Sequence, residues 1–322
     1  MSEIRNTERM PKVGLSAIVA YVLVAMGLAW LVALPLWLGN GLATPGATLL
    51  LPVMMYAPAA AVLIVMLVMR PVPRGQRLRF LGMWPLRPAK RVIWMSVIAV
   101  FGVFAVVLLA LALASMLGWL KLDLVNFSGY EQILKANPAV AAAGKALPPV
   151  GLLILTQLIS MPFAAITINA LAAFGEELGW RGFLVPALRR YGTWTALLVS
   201  GAIWGLWHAP VILLGYNFGR SDIAGVLLMT GGCIAWGVLF GFLRLRSGSM
   251  WPAVFAHGAL NASAGLPLVL YAAGSQPDPA FALALGISGS IACAVVAVIL
   301  LLTGQFRRQP ALAESHPKHP TV

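Results

Sequence analysis

Eight long apolar runs dominate this 322-residue sequence and limit what it can fold into. A bilayer core about 30 Å thick requires roughly 20 apolar residues per helix, because the backbone there must satisfy its own hydrogen bonds. The runs that reach this length are Val13–Leu38, Ala47–Met69, Val92–Leu120, Val150–Phe174 with a continuation to about Leu188, Thr193–Gly215, Ala224–Leu243, Trp251–Ala273 and Phe281–Thr303. The sequence therefore predicts an all-α, polytopic membrane protein with about eight transmembrane helices.

The composition supports this fold class. Only 10% of the residues are charged and 61% are hydrophobic, whereas a soluble domain keeps about a quarter of its residues charged. We therefore predict a single transmembrane domain over residues 13–303, with a short cytoplasmic N-terminus at residues 1–12. The tail at residues 304–322 has no hydrophobic periodicity and is expected to be disordered.

The positive charge follows a topological pattern. Alternate loops hold seventeen Lys and Arg residues and the intervening loops hold four, with Arg181 set inside a run. The positive-inside rule predicts that both termini and the basic loops are cytoplasmic. The loop Arg70–Arg91 is expected along the inner surface near anionic lipid headgroups, with Phe80 and Trp84 in the interface. This pattern is typical of a multi-pass bacterial inner-membrane protein, and no module for binding nucleic acid accompanies it.

Three of the runs carry polar side chains at membrane depth, in the stretches AAFGEELGWRGFL, WGLWHAPV and FAHGALNAS. These side chains are Glu176, Glu177 and Arg181 in the fourth run, His208 in the fifth, and His257 and Asn261 in the seventh. Residues four apart share one helical face, so Glu177 lies above Arg181, and His257 lies above Asn261. Glu176 points about 100° away from Glu177 on an ideal helix.

An ionisable group in the bilayer costs a few kcal/mol or more, so these side chains are expected to converge on one polar cavity that water can enter. Each has a simpler interpretation alone: Glu177 and Arg181 as a structural ion pair, a histidine or Asn261 as an interhelical hydrogen bond. Together they provide the groups needed for hydrolysis. A carboxylate takes a proton from water, a histidine positions the water, and donors stabilise the oxyanion.

Three motifs in this order also resemble a known family. EELGWR, WGLWH and HGALN are similar to the EExxxR, FxxxH and HxxxN motifs of the CAAX-protease and bacteriocin-processing family of intramembrane proteases. This family, also called Abi proteins, includes the type II prenyl-protein endopeptidases. The resemblance covers about Leu171 to Ala264, within a protease-like core expected at about residues 150–273. The departure is Trp204, where the motif has phenylalanine, and we expect it to affect local packing alone.

The resemblance implies a role for each polar residue. Glu176 would be the general base, and His208 would help it to activate water. His257 and Asn261 would hold the oxyanion, while Glu177 and Arg181 would shape and balance the site, with Trp204 in support. The substrate would be a membrane-anchored peptide or protein, cleaved near the cytoplasmic face. The chain order places His208 deeper in its run than the Glu pair, so a kink or tilt is expected to bring them level.

Alternatives remain open at this stage. Glu176, His208 and His257 could hold a zinc ion with an open water position, although the spacing differs from HExxH; direct activation of water is the favoured interpretation. The Glu and His residues could instead form the relay of an ion-coupled transporter. A carrier would be expected to show polar residues in the first three runs as well. The third alternative is a non-catalytic immunity or binding protein.

Overall fold

The computed structural model describes residues 10–138, 140 and 148–307, and within these ranges the chain is helical, with no strand beyond a single bridge between Leu122 and Tyr271. Seven helical segments are long and apolar enough to cross a membrane: Leu15–Leu38, Ala47–Val68, Ala89–Met116, Val150–Tyr191, Ile223–Ser247, Trp251–Leu270 and Pro279–Leu302. The remaining predicted run, the fifth, holds a shorter apolar helix, Thr193–Trp207. The predicted all-α polytopic membrane fold is confirmed.

The helices in chain order are α1 (Leu15–Leu38), α2 (Ala47–Met55), α3 (Ala57–Val68), α4 (Arg77–Leu81), α5 (Ala89–Met116), α6 (Ser128–Ala136), α7 (Val150–Ile166), α8 (Ile168–Glu177), α9 (Val185–Leu188), α10 (Thr193–Trp207), α11 (Ala209–Ile212), α12 (Ile223–Ser247), α13 (Trp251–Ala262), α14 (Leu266–Leu270), α15 (Pro279–Ala282) and α16 (Ile287–Leu302). A π-helical segment, Leu178–Leu184, joins α8 to α9. The predicted tail and N-terminus fall mainly on residues 1–9 and 308–322, outside the described residues.

The fourth predicted run is one long but interrupted segment. Pro162 lies inside α7, and Thr167, at φ −115° and ψ −99°, separates α7 from α8. The π-helical segment begins directly after Glu177, and such widened turns occur mostly at functional sites. The segment continues to Tyr191, beyond the predicted end near Leu188.

The fifth run is interrupted at His208. Helix α10 ends at Trp207, and His208 caps it before the short helix α11. Pro210 explains the break, since it has no backbone N–H to bond the carbonyl of Leu206. The run Thr193–Gly215 is therefore interrupted where a kink was expected, and the imidazole of His208 lies at a helix end.

Loops meet at two ends of the helix bundle. At one end, which we call the basic side, hydrogen bonds join Met250 N to the Gly82 carbonyl, Trp251 Nε1 to the Met83 carbonyl and Arg190 to the Val13 carbonyl. At the opposite side, Asp123 N bonds the Leu270 carbonyl and Ala272 N bonds the Lys121 carbonyl. The loops rich in Lys and Arg meet at the basic side, and its orientation toward the cytoplasm stays a prediction.

The basic loop is less superficial than predicted. Phe80, expected in the interface, is turned inward by α4 and packs against Phe183 with ring centroids 6.1 Å apart. Trp84 is exposed as expected. Residues 305–307, predicted as part of the disordered tail, form a 3₁₀ turn whose Phe306 contacts Trp194.

Two glycines let the N-terminal helices approach the segment that carries the Glu pair. Gly175 and Gly179 lie one turn apart, on one face. A side chain on Gly175 would overlap Tyr56, and one on Gly179 would overlap the Tyr21 hydroxyl and Pro58. Close approach of helix backbones across small residues is typical of membrane helix packing. The face with Gly175 and Gly179 therefore holds α1 and α3 against the site.

We expect Gly179→Ala to lower the free energy of unfolding by about 1–3 kcal/mol, because the added methyl overpacks this contact. Gly182→Ala is the matched control, since its methyl would meet neighbouring atoms at 3.4 Å or more. The measurement is thermal unfolding of both purified variants in detergent. Equal stability of the two variants would contradict the packing described here.

Candidate functional site

The polar residues of three predicted runs meet in the interior. Glu176, Glu177, Arg181 and His257 are buried, while His208 and Asn261 are partly exposed. Helix α8 brings the two carboxylates, the π-helical segment brings Arg181, and the end of α10 and α13 bring the histidines, with aromatic rings between them. The predicted convergence is thus observed for the carboxylates, the arginine and the histidines.

Glu177 is the central acceptor of the group. Its Oε1 accepts from the guanidinium of Arg181 at 2.7 Å and lies 2.9 Å from Nδ1 of His257. The guanidinium also stacks over the ring of Trp204 at 4.4 Å and of Phe240 at 5.2 Å. The predicted Glu177–Arg181 ion pair is confirmed, and it includes His257 as well.

Glu176 has a different environment. Its Oε2 accepts from the indole N–H of Trp204 at 2.5 Å and of Trp180 at 3.3 Å. Its Oε1 accepts no hydrogen bond from a described residue. Oε2 of Glu177 is likewise unbonded, but Glu177 has 0% exposure whereas Glu176 retains 2%, so Oε1 of Glu176 is the better candidate for contact with a water molecule.

Trp204 holds the site together. Its indole donates to Glu176, its ring edge meets the His257 ring at 5.3 Å, and its carbonyl lies 2.9 Å from Nδ1 of His208. The expectation that tryptophan in place of phenylalanine affects packing alone is wrong. A phenylalanine has no N–H, so this departure from the motif adds a hydrogen bond to Glu176.

The contact of His208 with the Trp204 carbonyl determines which of its two ring nitrogens carries the hydrogen. A carbonyl oxygen only accepts, so Nδ1 carries the hydrogen and the neutral ring keeps a free lone pair on Nε2. The ring also contacts that of Trp207 at 4.8 Å, and its Nδ1 lies 4.0 Å from Sγ of Cys233. His208 therefore offers Nε2 as an acceptor.

His208 and Glu176 lie at similar depth. Both are the same number of residues from Gly192, where the chain turns between α9 and α10. The two helices leave this turn together, and Trp204 bridges them. The predicted mismatch in depth is absent because the fourth segment continues to Tyr191.

Asn261 is one helical turn beyond His257 on α13. Its side chain makes no hydrogen bond with a described residue, and it is partly exposed. That Asn261 holds the oxyanion therefore stays a prediction. Of the six polar residues, Asn261 and His208 are the two that are partly exposed.

The loop after α11 approaches the same group. Tyr216 lies in this loop and is partly exposed. Burial raises the pKa of its hydroxyl, and the negative charge of Glu176 raises it further. At the end of the bundle opposite the basic side, hydrogen bonds from Ser128 and the Asn126 backbone lower the pKa of Asp123 to about 2.

The zinc site stays a prediction. Oε2 of Glu176 and Nδ1 of His257 are engaged by two indole N–H groups and by Glu177, while Oε1 of Glu176 and Nε2 of each histidine have no hydrogen bond to a described residue. Among the described residues, no three His, Cys, Asp or Glu side chains are arranged to hold a metal ion. The mechanism below is therefore derived without one.

The sequence did not predict that three further residues, Trp180, Arg244 and Tyr21, lie at the site. Trp180 lies four residues after Glu176, so its contact was open to prediction by helical spacing. Arg244 was counted in a basic loop, yet it is buried and donates to the carbonyls of Arg181 at 3.0 Å and Phe80 at 2.8 Å. Tyr21 is the single tyrosine of the first apolar run, Val13–Leu38, and no sequence pattern around it indicates a functional role.

The comparisons with known proteins agree with the motifs. Residues 158–263 match the family model of Rce1-like type II CAAX prenyl endopeptidases. This segment resembles those proteases. The resemblance predicted from the three motifs is confirmed, and all six polar residues lie within the matched range.

One curated relative extends this likeness over a short stretch. CAAX prenyl protease 2 of Methanococcus maripaludis is 43% identical over 49 residues, which is 15% of this chain and 18% of the relative. The chain therefore spans less than a fifth of the curated relative it matches. No solved structure matches the chain.

We expect Trp204→Phe to destabilise the protein more than Trp207→Phe, by about 1.5–3 kcal/mol, the contribution of a hydrogen bond to a charged group. Both changes remove the same volume from a buried indole, but Trp207 Nε1 has no partner among the described residues. Chemical unfolding of the two variants in detergent micelles measures the difference. A Trp204→Phe variant as stable as Trp207→Phe would refute the bond to Glu176.

Proposed function

We propose that this chain is an intramembrane endopeptidase that hydrolyses a peptide bond in a membrane-anchored peptide or protein. The observation that carries the proposal is the carboxylate of Glu176, whose Oε2 is held by two indoles while Oε1 is left unbonded. A base must be fixed in position yet keep one oxygen for water. The match to a protease family and the membrane-spanning helices support the same conclusion.

The first step is the activation of water. Oε1 of Glu176 takes one proton from a water molecule, and Nε2 of His208 accepts a hydrogen bond from the other water hydrogen. The oxygen then attacks the carbonyl carbon of the scissile bond, and the carbonyl oxygen becomes an oxyanion. Glu176 finally passes its proton to the amide nitrogen, so the C–N bond breaks to give a carboxylic acid and an amine, and the acid then loses its proton to the amine to leave a carboxylate.

The oxyanion is held by donors on α13. The Nδ2 amide of Asn261 is one donor, and Nε2 of His257 is the other. His257 donates from Nε2 only as an imidazolium, because its Nδ1 hydrogen is directed to Glu177. The proposed mechanism therefore uses His257 as the imidazolium, and with Arg181 it would balance the charges of the two carboxylates.

The substrate class follows from the family description. The matching family model is that of a CAAX prenyl endopeptidase, and the curated relative is named a CAAX prenyl protease. We extend this substrate class to the present chain, and a prenylated CAAX peptide is the first substrate to test. A prenyl group would anchor the peptide in the bilayer, beside the partly exposed His208 and Asn261. The protein is proposed to act in a bacterial inner membrane with its basic side toward the cytoplasm.

The alternative functions are weaker. A proton or cation relay needs ionisable groups that lead from the cluster to both membrane surfaces. In the described residues Glu176 bonds to tryptophans and Glu177 to Arg181 and His257, an arrangement suited to holding charges in place. A non-catalytic binder would show no turnover in the assay below.

We expect Glu176→Gln to reduce cleavage of a farnesylated, fluorophore-quencher CAAX peptide by about 100-fold or more, since the base is lost. Glu131→Gln is the matched control, because Glu131 lies exposed on α6 and pairs with Lys135. Both purified variants are assayed in lipid vesicles beside an unprenylated peptide. Cleavage at the wild-type rate by Glu176→Gln would overturn the mechanism, and equal cleavage of both peptides by the wild type would overturn the prenyl-substrate class.

We also expect a chelator such as 1,10-phenanthroline to leave the cleavage rate within about twofold of the untreated rate, since the described residues form no metal-ligand group and water is activated by the carboxylate. The assay is repeated after dialysis against the chelator and again after zinc is restored. Loss of activity that zinc recovers would show that a metal is required.

A further inference from the structure

The indole N–H of Trp37, near the end of α1, donates to the carbonyl of Pro210 at 2.8 Å. Pro210 lies in α11, two residues after His208. The same parts of the chain meet a second time, since a methyl added to Gly41 would lie 4.0 Å from the Leu214 side chain. The end of α1 therefore borders the break in the fifth run, where His208 lies.

The Pro210 carbonyl has no backbone donor. In a helix it would accept from a backbone N–H three or four residues later. Leu213 N donates to the Ala209 carbonyl instead, and Leu214 N donates to the Val211 carbonyl. A carbonyl without a donor is costly at membrane depth, where water does not replace the missing bond. Among the described residues, its donor is the indole from α1.

The turn that the indole holds is bonded directly to His208. The N–H groups of Val211 and Ile212 donate to the His208 carbonyl at 3.1 and 3.0 Å. The ring of His208 is held from the other side by α10, where its Nδ1 lies 2.9 Å from the Trp204 carbonyl. A movement of α11 would therefore turn the backbone of His208 while α10 retains its ring.

Anchoring in the lipid does not account for the bond to Pro210. Trp30 lies two turns before Trp37 on α1, and the centroids of the two rings are 5.5 Å apart. The two side chains are 43% and 42% exposed, yet the indole N–H of Trp30 donates to no described residue. The two tryptophans thus match in helix and exposure, and they differ in the hydrogen bond that Trp37 makes.

We propose that Trp37 is a positioning residue for His208: its indole N–H holds α11 in place, and α11 fixes the direction in which Nε2 of His208 points. This inference rests on the proposed function and deepens it, because Nε2 is the acceptor that orients the attacking water. It brings the first transmembrane helix into a site whose family match begins at residue 158.

Loss of this bond should affect the rate of reaction more than substrate binding. Trp37 acts on His208 through α11, so its replacement moves the acceptor without removing it. A displacement of about 1 Å caused by a substitution far from the chemistry can lower the rate by up to about a hundredfold. A partial loss of kcat with an unchanged KM is the expected signature.

The test compares Trp37→Phe with Trp30→Phe in the farnesylated-peptide assay, with Glu176→Gln assayed in parallel. Each tryptophan change leaves an aromatic ring and removes an indole N–H, and the N–H of Trp37 is the one with a described acceptor. For Trp37→Phe we expect kcat to fall about tenfold and KM to stay within about twofold, at a temperature where both variants are folded. Trp30→Phe should keep the wild-type values.

A second measurement follows His208 without the reaction. Protein labelled with nitrogen-15 histidine is observed by NMR in detergent micelles, and the His208 signal is identified by its loss in His208→Gln. Because the ring lies against the Trp204 carbonyl and the Trp207 ring, a change in its direction alters the chemical shift of Nε2. Trp37→Phe should shift this signal, and Trp30→Phe should leave it in place.

Two results would overturn the role of Trp37 and leave the proposed function standing. One is a Trp37→Phe variant with wild-type kcat next to an inactive Glu176→Gln. The other is an equal loss of kcat in Trp37→Phe and Trp30→Phe with an unshifted His208 signal, which would show that the tryptophans merely anchor α1 in the lipid. Wild-type cleavage by Glu176→Gln would instead overturn the proposed function, and the catalytic role of Trp37 with it.

Discussion

Two adjacent carboxylates buried in an apolar helix bundle impose the constraint on which the rest of this structure depends. Removing an ionised carboxylate from water is costly unless partners surround it. For Glu177 the loss of hydration is offset at one oxygen, Oε1, which contacts both Arg181 and His257. Because those partners come from its own segment and from α13, the ion pairs also fix how the helices assemble.

The same constraint explains why the helices are irregular at the site. The π-helical segment Leu178–Leu184 widens the turn after the carboxylates, and Pro210 ends α10 beside His208. Arg244 joins the carbonyl of Arg181 to that of Phe80, so the basic loop is tied to the segment that carries the charges.

Much of this arrangement could be predicted from local spacing. The apolar runs predicted the membrane fold, and the four-residue spacing of Glu177 and Arg181 predicted their ion pair.

Contacts between distant parts of the chain could be seen only in the structure. Trp204 was expected to pack, yet its N–H reaches Glu176 from another helix. His257 was expected to face Glu176, and it pairs with Glu177 instead. Tyr21 reaches the site from the first helix, and no sequence pattern indicates which helices touch.

The central claim is that the two neighbouring glutamates divide their tasks, with Glu176 for chemistry and Glu177 for structure. The most direct measurement compares thermal unfolding and peptide cleavage of Glu176→Gln and Glu177→Gln in the same vesicles. The claim predicts that Glu176→Gln unfolds near the wild-type temperature without activity, and that Glu177→Gln unfolds at a clearly lower temperature because Arg181 and His257 lose their shared acceptor. A Glu177→Gln variant as stable as the wild type, or an active Glu176→Gln variant, would contradict it.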